Sequence, residues 1–341
     1  MPERELTAPY SLVGPDGRLN PEAVGWSRLP LCDSTLAGPA GRRKRWNYWS
    51  FGTPELKFVA AVVDADYMRV AFVDLLTLLD LKWRGGRLTL PLLARPRMGG
   101  RVDDDVVFGW RGKRIEMLPR GGGVDILVDW PGFPGGDLHA ELRAQATPGQ
   151  ESINVTIPWS AKRFHFTSKQ PAIPASGVLR VGGETYTLDG PDCFAALDFA
   201  RGVWRYDSTW NWISASGRDA LGRVVGLNLG AGWTDGTPMT ENGVIVDGVA
   251  HKIGCIVKFD YDRCDLMKPW RIRSDDASSA GRTVDLEVVP FYHHRLNVDA
   301  FVIRSKLDQI SGRVTGAIAL PGAAVQIDGL VATCEEQQAR W

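Results

Sequence analysis

The chain has 341 residues, with 40 Lys plus Arg balanced by 40 Asp plus Glu. Without a net field to hold a phosphate backbone, nucleic acid is not an expected partner, and 44% hydrophobic with 23% charged residues excludes a disordered or coiled-coil chain. A chain this long buries a core without metal or disulfide and suggests two domains. Its 13 Trp outnumber the 7 Tyr, so tryptophan is either core filler or the lining of a ligand cavity.

The opening residues Met1 to Glu5 carry acids where a signal peptide carries an apolar run, and no later stretch approaches the ~18 apolar residues of a membrane helix. The expected location is the cytoplasm. Arg42, Arg43, Lys44 and Arg45 run into Trp46, Tyr48 and Trp49, which reads as a solvated turn before an aromatic strand. Residues 64–81 are apolar enough for a helix, yet Tyr67, Val70, Phe72 and Val73 favour a strand.

Hairpins follow at 113–126, turning through Gly121, Gly122 and Gly123; at 178–188, turning at Gly182 and Gly183; and at 243–259, turning at Asp247 and Gly248. Residues 283–292 and 313–333 read as closing strands of a meander. The 38 Gly and 21 Pro punctuate the whole chain into such runs, and no βαβ alternation is present. The fold class is therefore all-β: two consecutive antiparallel barrels or sandwiches, 1–160 and 161–341, with the linker zone near the polar stretch 147–152.

The densest functional-looking residues lie between His165 and Asn242. Period-two alternation puts Trp210 with Trp212, and Trp204 with Tyr206, on common faces. With Trp233, Lys169, Asn228 and Asn242 these form the expected ligand-binding set, and Asp198, Arg201, Tyr206, Asp235 and Glu241 form the catalytic set. Arg201 also has a structural reading, paired with Asp198 or Glu241.

No metal or cofactor is expected. His293 and His294 are adjacent, so a strand sends them to opposite faces, and His139 with Glu141 lacks a third ligand at motif spacing. Gly226, Gly230 and Gly232 break the dinucleotide spacing and read as turn glycines. Ser168 beside Lys169 reads as a turn-bonding serine. The five cysteines are scattered and odd in number, hence free thiols.

The Phe166-Thr167-Ser168-Lys169-Gln170 block, Arg201-Gly202-Val203-Trp204, Trp210-Asn211-Trp212 and the run from Asn228 through Asp235 to Asn242 resemble a bacterial family, domain of unknown function 2804. Gly25-Trp26-Ser27-Arg28, Lys44-Arg45-Trp46 and Asp328-Gly329-Leu330 to Glu336 extend the resemblance over nearly the whole chain. Arg205 stands where that family usually has Pro. More distantly, Trp210-Asn211-Trp212 resembles the tryptophan pair of carotenoid hydratase and AttH-like proteins. That resemblance implies a double lipocalin-like barrel fold and, by analogy, hydration or cyclisation of an apolar substrate.

Three functions stay open. One is a hydratase, isomerase or cyclase in which burial keeps Asp198, Asp235 or Glu241 protonated as a general acid, and Tyr206 or Lys169 relays the proton. Another is non-catalytic binding of a hydrophobic small molecule. A third is sugar binding or glycoside hydrolysis, which needs a carboxylate pair flanking an open groove. In each the second half holds the site, and Trp46 and Trp49 serve stability.

Overall fold

The computed structural model describes residues 3–37, 41–274, 281–300 and 303–340. Among these residues regular structure is almost entirely strand, the exception being the 3-10 turn Pro21–Ala23. No helix among them is long and apolar enough to cross a membrane.

Two curled antiparallel sheets make the double lipocalin-like architecture. The first runs, neighbour by neighbour, Lys82–Pro91, Met68–Thr77, Leu56–Asp64, Arg43–Gly52, Phe194–Val203, Arg163–Val181, Leu138–Gln145, Gly123–Trp130, Lys113–Arg120, Val106–Trp110, Arg97–Met98. The second runs Val249–Lys252, Gly243–Val246, Val224–Ala231, Asp207–Arg218, Ala323–Arg340, Ile303–Leu320, Thr283–Ala300, Trp270–Ser274, Val257–Asp260. The hairpins at 113–126 and 178–188 form as expected, as does the turn at Asp247 and Gly248. Past Lys252, however, the chain crosses to the opposite edge, where Val257–Asp260 pairs with Trp270–Ser274.

The sheets change over between Val203 and Asp207, later in the chain than the unit boundary expected at 160/161. The 19-residue strand Arg163–Val181 explains the difference. A register shift between Gln170 and Ile173 bends it, so its first part pairs with Phe194–Val203 and its second with Leu138–Gln145. Both parts stay in the first sheet, and the stretch 147–152 is a connection inside that sheet.

Each sheet curls around its own dry core. Strand Leu138–Gln145 shows the driving pattern: Leu138, Ala140, Leu142 and Ala144 point in and are buried, while His139, Glu141 and Gln145 point out. The first core includes Phe51, Phe58, Phe166 and Phe199, and the second includes Ile213, Leu227, Leu229 and Trp270. In Leu56–Asp64, by contrast, Val59, Ala60, Ala61 and Val62 are all buried in succession, so this strand is covered on both faces.

The second sheet supplies the cover. Thr283–Ala300, Ile303–Leu320 and Ala323–Arg340 are 18 residues each, longer than one core requires. Val284, Leu286 and Val288 face the second core, but a register shift between Pro290 and Tyr292 exchanges the faces. Beyond it His294 and Leu296 turn outward and lie over the first sheet. The three strand ends thus roof the outer face of the first sheet.

The basic run is not a solvated turn. Arg43, Lys44 and Arg45 lie in the strand Arg43–Gly52, and Arg45 bridges Asp64 and Asp66 at 3.2 and 3.4 Å while Arg43 bonds Asp66 at 2.9 Å. Lys44 is buried over the Tyr67 ring, and desolvation brings its ammonium down to about 8. The cysteines are free, four buried and Cys264 exposed.

Candidate ligand site between the sheets

A cavity of about 210 Å³ lies between the outer faces of the two sheets, inside neither barrel. Strand register builds its floor as one transverse row. Arg87, Phe72, Ala61, Tyr48, Asp198 and Lys169 are consecutive cross-strand partners over six strands, and all line the space. Two parallel rows of the second sheet form the roof: Trp212, Glu335, Gln309 and His294, then Trp210, Gln337, Leu307 and Leu296. Ala61 leaves the room that a larger floor residue would fill.

One end is an indole cage. Trp46, Trp204 and Trp233 surround His165 with ring centroids 4.8 to 5.1 Å away, and Trp210 packs on Trp204 at 6.0 Å. Trp204 donates from Nε1 to His165 Nδ1 at 2.9 Å. Indole is a donor only, so the imidazole proton sits on Nε2. Burial, with Lys169 and Arg201 nearby, holds His165 well below the usual histidine range, and the ring is neutral.

Lys169 ties the charges together. Its Nζ lies 2.7 Å from Asp198 and 3.0 Å from Glu241, and these two carboxylates outweigh the burial that opposes them, raising its basicity. Trp233 Nε1 donates to Glu241 Oε1 at 2.6 Å, and Trp46 Nε1 donates to Asp198 Oδ1 at 3.3 Å. A Cβ on Gly230 would sit 2.0 Å from Glu241 Oε1, so close approach fixes glycine there. Gly226 likewise packs its backbone against Pro171, and only Gly232, at φ +88°, serves a turn. This corrects the reading of all three as turn glycines.

A different carboxyl stands apart in the roof. Burial lifts Glu335 above the usual glutamate range, Asp198 adds to the lift, and the bonds donated by Gln309 Nε2 at 3.0 Å and Trp210 Nε1 at 3.2 Å offset only part of it. Beside it the Tyr48 hydroxyl is buried without a hydrogen bond of normal geometry, and burial keeps the phenol protonated. At the far end burial raises Asp74 to about 6, against the pull of Arg87 and Lys57.

Of the residues singled out from sequence, Lys169, Asp198, Glu241, Trp204, Trp210, Trp212 and Trp233 line the cavity. The others stand elsewhere. Arg201 points to the opposite face, over the Phe199 ring, and bonds the carbonyls of Gly99, Trp46 and Ala200 and the Asn47 amide oxygen; it pairs with neither Asp198 nor Glu241. Asp235 is exposed, and so is Tyr206, because the strand ends at Val203 before the alternation reaches it. Asn228 and Asn242 stand behind the wall: Asn228 accepts from Trp212 Nε1 at 2.8 Å, and Asn242 accepts from the Gly230 amide at 2.7 Å.

Sequence reasoning missed Tyr48, Asp74, His294, Gln309 and Glu335, and it assigned Trp46 to stability. Trp46 lines the cavity, whereas Trp49, on the opposite face of the same strand, is in the first core. The available signal was alternation itself: Trp46 and Tyr48 share a face with each other and not with Trp49. The site also draws on both halves of the chain, where the second half alone was expected. Asp198 and Glu241 are not a pair across an open groove, since both hold the same ammonium.

The fold is similar to that of CghA, at 12% identity and a TM-score of 0.54 over 90% of this chain and 94% of that one. CghA with Sch210972 matches at 12% identity and 0.53, over 93% and 97%. A putative AttH from Nitrosomonas europaea matches at 15% identity and 0.45 over 89% and 98%, and kievitone hydratase from Nectria haematococca at 10% and 0.45 over 87% and 88%. No curated protein sequence matches. The model of the family described as domain of unknown function (DUF2804) spans residues 3–341, and the chain belongs to that family.

Proposed function

We propose that the protein holds a largely apolar, unsaturated small molecule between its sheets and catalyses proton transfer on it, as a hydratase, isomerase or cyclase. The observation that carries this reading is the placement of Glu335, a buried carboxyl raised toward its protonated form, in the roof of an indole-lined space. A neutral carboxylic acid donates a proton to a double bond, and indole faces stabilise the positive charge that develops. Trp46, Trp204, Trp210 and Trp233 line the space and offer such faces. Tyr48, whose hydroxyl is buried beside Glu335, orients the substrate or passes on the proton.

The acid role moves from Glu241 and Asp198 to Glu335 on this reading. Both of the former are held by Lys169, and an ion-paired carboxylate is a poor proton donor. Small-molecule occupancy accords with CghA, which crystallises with Sch210972. A second reading, binding without turnover, is favoured by the mutual satisfaction of Lys169, Asp198, Glu241, Trp46 and Trp233, which leaves a quiet wall.

Native mass spectrometry of the purified protein identifies the co-purifying ligand. Turnover of that ligand by Glu335→Gln then separates the readings. A general acid contributes roughly 10²- to 10⁴-fold, so the variant is expected to bind normally and lose at least a hundredfold in kcat. Unchanged turnover would remove Glu335 from the chemistry.

A further inference from the structure

A second, larger groove of about 580 Å³ runs between the sheets beyond the wall formed by Tyr48 and Trp212, whose rings meet edge to face at 6.4 Å and which line both spaces. Its character differs from the cavity. Hydroxyls of Ser50, Thr53, Ser214, Ser216 and Thr333 line it, together with the cations Lys57, Arg218 and Arg313. Arg218 is paired with Asp192 at 3.2 Å, and the other acid in the lining, Asp219, is paired with Arg223. Lys57 and Arg313 have no carboxylate within ion-pair distance among the described residues.

Lys57 is the better placed of the two. It is partly buried, and its ammonium bonds the Thr333 hydroxyl. It also borders a small chamber with Asp74, His294 and Gln309, which belong to the indole cavity as well. Lys57 therefore stands at the junction of the apolar space and the polar groove. The acids nearest to it, Glu335 and Asp74, are both raised by burial, and neither makes an ion pair with its ammonium among the described residues. Burial brings Lys57 itself down to about 8, with Glu335, Asp74 and Cys334 pulling the other way, which leaves it charged at neutral pH. A desolvated ammonium with no carboxylate in ion-pair contact is held at a cost that an arriving anion lowers.

We infer that the ligand is amphipathic, with an anionic head group, a carboxylate or an equivalent acidic oxygen, bound at Lys57 on the groove side while its apolar body occupies the indole cavity. This deepens the function proposed above and rests on it. Arg313, exposed at the groove margin, adds a weaker pull on the same head.

The test uses cis-parinaric acid, a conjugated apolar chain ending in a carboxylate, alongside its methyl ester, with binding read by polyene fluorescence. The native protein is expected to bind the acid about tenfold more tightly than the ester, the usual worth of one charge-assisted hydrogen bond. Lys57→Gln is expected to bring the acid down to the ester's affinity and leave the ester unchanged, while Lys57→Arg keeps the preference. Equal affinity for acid and ester in the native protein overturns the head-group assignment and leaves the apolar site standing, and so does an acid preference that survives in Lys57→Gln. Binding of neither probe overturns the apolar site and this inference together. A loss of ester binding in Lys57→Gln, with thermal unfolding unchanged, assigns Lys57 to the cavity wall and not to a head group.

Discussion

The two faces of the first sheet are built from the same strands and put to different uses. The inner face carries phenyl rings and aliphatic chains, such as Phe51, Phe58, Phe166 and Phe199. The outer face, one residue along each strand, carries Trp46, Tyr48, Asp198, Lys169 and Arg87 and opens on the cavity. Burial therefore does not distinguish the two faces, because both are covered. What separates them is whether the covering layer interdigitates, as in the cores, or leaves space, as beneath the long strands of the second sheet.

That contrast breaks most visibly in the inner face. Phe166→Ala is expected to lower stability by about 3 to 5 kcal/mol in a denaturant melt, with ligand affinity normal in whatever fraction stays folded. On the outer face, Lys169→Met leaves Asp198 and Glu241 buried without their cation. It is expected to cost about 3 kcal/mol and also to abolish binding, a combination that Phe166→Ala does not give. If Lys169→Met lost stability and kept its affinity, the ionic cluster would be structure alone.

A smaller effect is expected from Trp210→Phe, which removes a donor to Glu335 and keeps most of the ring. Stability should fall by about 1 kcal/mol. With one stabilising bond to the charged form gone, Glu335 rises further, so the alkaline limb of the pH–rate profile, where a general acid loses its proton, should shift to higher pH. The mildest effect concerns pH. His165 is depressed in the fold, so the unfolded chain takes up its proton first, and stability should be full above about 6.5 and decline as pH falls below it. His165→Phe should flatten that part of a stability profile measured between pH 5 and 8.

The sequence shows much of the fold because period-two alternation and glycine turns are local signals. The hairpin at Gly182 and Gly183 and the strand Met68–Thr77 are both readable in this way. It hides the site because the site depends on which elements face each other. Lys169, Asp198 and Glu241 stand out in the sequence as charged residues among tryptophans, yet nothing near them announces Tyr48, which sits beside Asp198 only through strand register. Glu335 is harder still: its face is decided by what the long closing strands cover, and a bulge such as that between Pro290 and Tyr292 cannot be counted from composition. Arg201 misleads for the same reason, since it follows Asp198 closely in sequence and points the other way.

If ligand lies between the sheets and inside neither barrel, the neighbours Ala60 and Ala61 respond to substitution in opposite ways. Ala60 faces the first core and Ala61 faces the cavity. Binding of the neutral fluorophore N-phenyl-1-naphthylamine would be titrated in Ala61→Phe and Ala60→Val, each with its unfolding curve. Ala61→Phe is expected to fill the space, abolish binding and leave stability within about 1 kcal/mol, whereas Ala60→Val overpacks the core, costs about 1 to 3 kcal/mol and keeps the affinity. Normal binding in a folded Ala61→Phe, with loss in Ala60→Val, would contradict the claim and place the ligand inside the first barrel.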